Sequence, residues 1–386
     1  MPVLNRIADR SDEIAEWRHD FHQHPELLYE VHRTAGKVAE MLKGFGCDEV
    51  VTGSGRTGVV GVIRGKKQGG KVIGLRADMD ALPLEEITGL AYASKTPGKM
   101  HACGHDGHTA MLLGAARHLC ETRNFDGTVV VVFQPAEEGG AGAKAMIDDG
   151  LLDRWKIQEV YGMHNYPGIE LGTFMVKPGP LMAAADRISI DIEGVGGHAA
   201  RPHKAIDTVV VGCAIVGALQ HIVARNVDPL ESAVISIPMF QAGHTDNVIP
   251  QTAHLRGTSR SFNPKIRDLL EKRIAEVVEH TALAYGAKAK ATYRRDYPVV
   301  MNDPKAADFA ARVAGEIVGE TNVGTAIPVM GAEDFAFMLE QRPGAFIFMG
   351  NGNSANLHHP AYDFDDRAIP FGTSYWVRLV ENAMPA

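Results

Sequence analysis

Up to about position 180 the chain alternates short apolar runs, each bounded by turn-forming residues, with longer stretches whose apolar residues recur at helical spacing. Gly58 to Ile63, Lys71 to Ala77, Gly127 to Phe133 and Glu159 to Met163 predict buried strands. Thr109 to Glu121, with Met111, Leu112, Ala115, Ala116 and Leu119 on one face, predicts a helix. Strand and helix in alternation imply an α/β architecture, a mostly parallel sheet with helices on both faces. In such sheets ligands collect beyond the carboxyl ends of the strands.

From Asp186 to Arg295 the pattern changes to strand (Arg187 to Glu193), helix (Ile206 to Arg225), strand (Ala233 to Ala242), strand (Gln251 to Ser261), helix (Pro264 to Tyr285) and strand (Lys288 to Arg294). This βαββαβ order predicts an inserted α+β ferredoxin-like domain, preceded by Pro178-Gly179-Pro180 and followed by Asp296-Tyr297-Pro298. Helix and strand signals then resume at Ala306 to Val318 and Ala345 to Met349. The expected organisation is a discontinuous catalytic domain, 1–185 with 296–386, interrupted by an insert at 186–295. A length of 386 residues, more than one core usually holds, agrees with two domains.

Charge narrows the partners. The net charge is -8, with acidic and basic residues mixed and no basic cluster that could track phosphates, so nucleic acid is not expected. No run approaches the ~20 apolar residues of a membrane span, so no membrane partner is expected. Met1-Pro2-Val3-Leu4-Asn5-Arg6 lacks the charged-then-apolar pattern of a signal peptide, which predicts a cytoplasmic address. Cys47, Cys103, Cys120 and Cys213 are widely spaced, and no disulfides are expected.

Four separated stretches place metal-binding side chains where strands should end: Cys103-Gly104-His105-Asp106, Glu137-Glu138-Gly139-Gly140, Met163-His164-Asn165 and Leu357-His358-His359-Pro360. A thiolate, imidazoles and a carboxylate suit zinc or a similar borderline divalent ion. The donors exceed what one tetrahedral ion needs, which points to two metals sharing a ligand, an arrangement that activates water for hydrolysis. Of the pair Glu137-Glu138, one carboxylate can ligate and its neighbour can take the proton of the attacking water. The residues alone do not order the two. Gly194 to His198 is a glycine-rich loop whose spacing fits neither nucleotide fingerprint.

Together with His22, His24-Pro25-Glu26, Arg76-Ala77-Asp78-Met79-Asp80-Ala81-Leu82-Pro83, Gly196-Gly197-His198 and Asn247-Val248-Ile249-Pro250, these motifs resemble the M20 metallopeptidases over nearly the whole chain. The matching branch cleaves hippurate, other N-acyl amino acids and indoleacetyl amino acids. The resemblance implies two divalent ions, zinc first with manganese, cobalt or nickel as alternatives, held by Cys103, His105, Glu138, His164 and His358. Cys103 would replace the bridging aspartate of the wider family. The family's His-x-Asp pair is Asp78-Met79-Asp80 here, which leaves His105 as the replacement imidazole and Asp80 as the group that orients a ligand.

The resemblance also implies that Glu137 is the general base. His198 would reach the partner subunit's site and stabilise the oxyanion, Asn247 would be a further lid contact, and Arg260, thirteen residues on, would grip a substrate carboxylate. The insert is then a lid and dimerisation domain of a homodimer, with a tetramer left open. Met330-Gly331-Ala332-Glu333-Asp334 resembles a segment lining the substrate pocket, with Glu333 simply capping a helix that begins at Asp334. The expected reaction is hydrolysis of an N-acyl or N-aroyl amino acid to a carboxylic acid and a free amino acid. The rivals are a dipeptidase or carboxypeptidase on the same fold and a metal-binding scaffold without hydrolysis.

Overall fold

The structure, a computed structural model, describes residues 3–386. Two compact units divide the chain: the larger runs up to Gly179 and includes Met301–Ile327 and Asp334–Ala386, and the smaller comprises Pro180–Val300 with Pro328–Glu333.

The larger unit opens with helices α1 (Ser11–Gln23) and α2 (His32–Phe45), followed by strands β1 (Glu49–Ser54), β2 (Gly58–Arg64) and β3 (Lys67–Asp78). A long loop leads into α3 (His105–Thr122), then β4 (Asp126–Gln134), β5 (Glu159–Tyr166) and β6 (Phe174–Val176). The helix begins at His105, four residues before the periodicity predicts, because Gly104, in the left-handed region at φ 88, provides the turn into it. His105 is therefore a helix residue, although the small residues around it suggest a loop.

The smaller unit is β7 (Ala184–Glu193), the short β8 (Gly197–His198), α4 (Thr208–Arg225), β9 (Ala233–Ala242), the short β10 (Val248–Ile249), β11 (Thr252–Ser261), α5 (Pro264–Ala284) and β12 (Lys288–Tyr297). Its sheet runs β9-β11-β7-β12, antiparallel throughout. Ile188, Ile190 and Ile192 alternate inward on β7 and meet Val211, Ile215, Leu219 and Ile222 of α4 and Leu270, Ile274 and Val278 of α5. Asp207 caps α4 by accepting from the amides of Val209 and Val210, and Asn263 caps α5. Among the described residues α4 alone is long and apolar enough to cross a membrane by length and composition, although Gln220 and His221 interrupt its apolar run. Its buried stripe belongs to the core of the α+β unit, which accounts for the apolar composition.

The chain returns to the larger unit through α6 (Pro304–Val318), β13 (Val323–Thr325), β14 (Gly344–Gly350) and α7 (Ile369–Ala383). The large sheet has the order β1-β2-β4-β3-β5-β14-β6-β13. Its four central strands, β4, β3, β5 and β14, are mutually parallel, and antiparallel pairings occur at β1-β2-β4 and β14-β6. Helix α3 lies buried along almost its whole length. Small residues permit this: a side chain at Gly107 would meet the Phe364 ring at 2.5 Å, and one at Gly114 would meet Ile14 at 2.7 Å.

Because α3 is packed on all sides, truncation there has no route to relief by solvent. Leu112→Ala should lower the unfolding free energy by ~2 to 5 kcal/mol, read from denaturant midpoints at unchanged slope. A loss below ~1 kcal/mol would show that the helix is not a fixed part of the core.

Candidate metal centre

The carboxyl ends of the four parallel strands carry the chemistry. Asp78 closes β3 and Asp80 follows it, Glu137 and Glu138 come just after β4, His164 stands near the end of β5, and His358 lies in the loop after β14. Adjacent parallel strands bring these positions together, and α3 delivers His105 from its first turn. Two further contacts close the group. The amide of His358 donates to the Ala102 carbonyl at 2.8 Å, tying the loop after β14 to the Cys103 loop. Asp80 accepts the amides of Glu137 at 3.0 Å and Glu138 at 3.1 Å.

The ligand atoms of Cys103, His105 and His164 lie within 4.8 Å of one another, as do those of Cys103, Glu138 and His358. Cys103 belongs to both groups. A third group of the same size joins His105, Glu137 and Glu138. The Cys103 sulfur is 3.4 Å from His164 Nε2, and His358 Nε2 is 3.2 Å from Glu138 Oε1. His105 Nδ1 donates to the Asp80 carbonyl at 2.8 Å, while its Nε2 is buried without a hydrogen-bond partner. His164 Nδ1 donates to the Asn165 carbonyl at 2.6 Å, which aims Nε2 the other way. Both rings thus have one nitrogen fixed by the backbone and one left for an ion, the usual arrangement of ligating histidines. The donor set of sulfur, imidazole and carboxylate fits a borderline divalent cation.

Protonation follows from burial and from the crowd of negative groups. Burial pushes the Cys103 thiol well up, and the Glu138, Glu137 and Asp78 charges push it further. Burial also pulls His164 well down, so its imidazole is neutral. For His105 burial again acts downward, but Asp78 and Asp80 outweigh it and raise the imidazole to about 10. Glu138 is lowered despite burial, through His358 and His105. Asp80 is raised by burial, which exceeds the help of His105. A buried thiol and four carboxylates in one place call for a cation.

Two residues near the cluster hold non-glycine backbone in the left-handed region: Ala136 at φ 54 precedes the glutamates, and His358 itself stands at φ 62. Such conformations cost ~1 to 3 kcal/mol each and persist where surrounding structure imposes them. Here they turn Glu137, Glu138 and the His358 ring toward the other donors.

The structure brings together Cys103, His105, Glu137, Glu138, His164 and His358, with Asp80 beneath them. His359, next to His358, bonds through its ring to the amide of Ala361. His198, Asn247 and Arg260 belong to the smaller unit. There β8 and β10 pair, setting His198 opposite Val248, and the Asn247 carbonyl accepts the Ala199 amide at 3.0 Å. Arg260 pairs with Ala185 at the start of β7, whereas Thr252, close after Asn247, pairs with Glu193 at its end. Eight residues of extended strand separate the two places by about 26 Å.

Sequence reasoning gave no role to Asp78 or Asn165 and treated His108 only as a histidine flanking the motif. His108 Nδ1 bonds to Asp78 at 2.7 Å and its Nε2 side meets Asn165, while Arg76, also buried, bonds to Asp78 at 2.7 Å. Spacing carried a signal: His105 and His108 are three apart on one helical face, and Asp78 and Asp80 are two apart at a strand end. The expectation for Glu333 fails, because the short helix there is Ala336–Leu339 and has no side-chain cap. Asp334 instead lies buried, accepting from Arg76, Gln134 and the Ala143 amide.

A mostly parallel sheet with this donor cluster at its carboxyl edge defines a metal-dependent hydrolase. The model of peptidase family M20/M25/M40 matches residues 74–382. Hippurate hydrolase of Campylobacter jejuni is 44% identical over 380 residues, covering 98% of each chain, and N-acetylcysteine deacetylase of Bacillus subtilis is 40% identical over 97% of this chain and 98% of its own. The crystal structure of the Bacillus subtilis YXEP protein, a dinuclear metal binding peptidase from the M20 family, superposes with a TM-score of 0.86 at 36% identity, covering 98% of this chain and 99% of its own. The chain belongs to peptidase family M20/M25/M40. It is an amidohydrolase that works with divalent metal ions.

An ion taken up by His105 and Cys103 would displace protons. In the metal-free protein His105 holds a proton up to about pH 10 and the Cys103 thiol holds one beyond the usual thiol range, while His164 has none to lose. Loading at pH 7.5 should therefore release about two protons per molecule, measured by calorimetry in buffers of different ionisation enthalpy. Uptake without proton release would show that His105 and Cys103 do not change protonation on loading.

Proposed function

We propose that the protein hydrolyses N-acyl and N-aroyl amino acids, hippurate-like compounds among them, to a carboxylic acid and a free amino acid. The observation that carries this reading is the sharing of Cys103 between two donor groups with the Glu137 carboxylate beside them. In this reading Cys103, His105, Glu138, His164 and His358 hold two divalent ions, zinc first, with manganese, cobalt or nickel able to serve. Bound ions would lower the pKa of water and polarise the amide carbonyl.

The remaining steps fall to the chain's own side chains. Glu137, buried and held through its amide by Asp80, takes a proton from the attacking water and returns it to the leaving amine. His198 accepts the Ala200 amide at Nδ1, 3.1 Å away, so its proton sits on Nε2, ready to donate to an oxyanion. Asn247 contacts substrate beside it. Arg260 is half-buried, and its guanidinium bonds to the Thr258 hydroxyl and the Ser259 carbonyl but to no carboxylate. That leaves it able to take the carboxylate of the amino acid in a charge-assisted pair.

His198 and Asn247 stand at one end of the small sheet and Arg260 at the other, so one copy of the unit cannot close all three on a small substrate. Two copies can. We infer a homodimer in which Arg260 comes from the chain that holds the metals and His198 and Asn247 from its partner, with the insert at 186–295 as lid and dimerisation domain and the protein working in the cytoplasm.

Loaded with zinc, manganese, cobalt or nickel in turn, the protein should release glycine from N-benzoyl glycine. Faster turnover of dipeptides than of any N-acyl amino acid would favour a peptidase instead. Glu137→Gln should keep its metal and lose ~100-fold to ~10,000-fold in kcat, whereas Glu138→Gln should lose metal. The reverse pattern, by elemental analysis, would exchange the two roles.

The shared site is open to complementation. Glu137→Ala and His198→Ala subunits, each inactive alone, should recover about a quarter of wild-type activity after random exchange, because half the dimers are mixed and each has one intact site. A mixture that stays inactive, with exchange confirmed by mass, would rule out a contribution of His198 across the dimer.

A further inference from the structure

Two of the free cysteines lie far apart in sequence and face to face in space. Cys120 sits in the last full turn of α3, buried, and Cys47 follows the left-handed Gly46 that ends α2, partly exposed. Their sulfurs are 3.5 Å apart. The approach is imposed by more than the thiols. Arg123, three residues after Cys120, reaches over Cys47 and bonds to the Gly46 carbonyl at 2.8 Å and to Asp48 and the Arg64 carbonyl at 2.7 Å. The guanidinium clasps the residues on both sides of Cys47 and sets a fixed positive charge beside the pair. Neither sulfur belongs to the metal cluster.

We propose that Cys47 and Cys120 form a peroxide-sensitive dithiol, a reversible modification site separate from the metal centre. Two free thiols are the expected state in a reducing compartment. A peroxide supplies what oxidation requires: the Cys120 sulfur, the one of the pair held toward the thiolate, attacks one peroxide oxygen, the O–O bond breaks, and a sulfenic acid and one water result. The Cys47 sulfur then attacks the sulfenic sulfur, forming the S–S bond, and its proton leaves with the expelled hydroxyl as a second water, so two thiols and one hydrogen peroxide give one disulfide and two waters. Bond formation asks the sulfurs to close by about 1.5 Å, within reach of side-chain rotation. The hydrogen bond from Cys47, with Arg123 assisting, lowers the Cys120 thiol toward the thiolate needed for the first step, while the same bond and burial hold the Cys47 thiol up as the proton donor. The disulfide would staple the end of α3, whose other end carries His105, to the loop after α2.

The test uses the metal-loaded wild-type enzyme with hydrogen peroxide, followed by alkylation, intact mass and non-reducing peptide mapping. Exposed Cys213 serves as the internal gauge of oxidation. The expected result is a Cys47–Cys120 linked peptide, about 2 Da lighter than the two thiols together, abolished by dithiothreitol, with a thermal midpoint about 5 °C higher in the linked form. Cys47→Ser should lose the link and leave Cys120 alkylatable after dithiothreitol. The proposal is overturned if Cys213 is oxidised while Cys47 and Cys120 remain free or gain oxygen separately, or if the midpoint of the linked form does not rise.

Discussion

The carboxylate of Asp80, wholly out of contact with solvent, holds the candidate site in register. Its two oxygens take the amides of Glu137 and Glu138, and its own carbonyl takes the His105 ring. One residue thus fixes the loop after β4, the start of α3 and the end of β3 against one another. Burial alone would raise this carboxyl, and does; two amide donors and a neighbouring imidazole are what make the charged form tolerable there. Everything else at the carboxyl edge is positioned relative to that point.

Beneath Asp80 a second buried layer repeats the logic. Asp78 lies between Arg76 and His108, and although burial acts against its charge, His105, Arg76 and His108 together hold it well below the usual carboxylate range. Gln134 and Asp334 continue the network under the glutamates. Rigid packing by α3 on one side and a satisfied polar layer on the other explain how backbone strain at Ala136 and His358 is sustained. A site with donors fixed this way leaves little reorganisation to be done when ions bind.

The smaller unit obeys a different constraint. Its antiparallel sheet buries one face on two helices, and its functional candidates stand on opposite ends of β11 and its neighbours. On the proposed reading, in which one reaction needs all of them, assembly of two chains is favoured over closure of one. The apolar sequence of α4 has the same origin as the sheet's inward isoleucines, since both line one core.

Much of this was legible in the sequence, because periodicity is a local property. Apolar runs at strand spacing and one long helical stripe sufficed to predict the α/β architecture and the βαββαβ insert, and metal-binding residues after strand signals marked the cluster. What sequence could not supply was contact between distant residues. That Cys103 serves two donor groups, that His108 and Asn165 support the site, that Asp334 is buried in a polar network and that Cys47 meets Cys120 all depend on the order in which strands lie in the sheet. Residue type and spacing determined which side chains could do chemistry. Only the tertiary packing decided which atoms meet, because strand neighbours are chosen by long-range burial and not by adjacency in the chain.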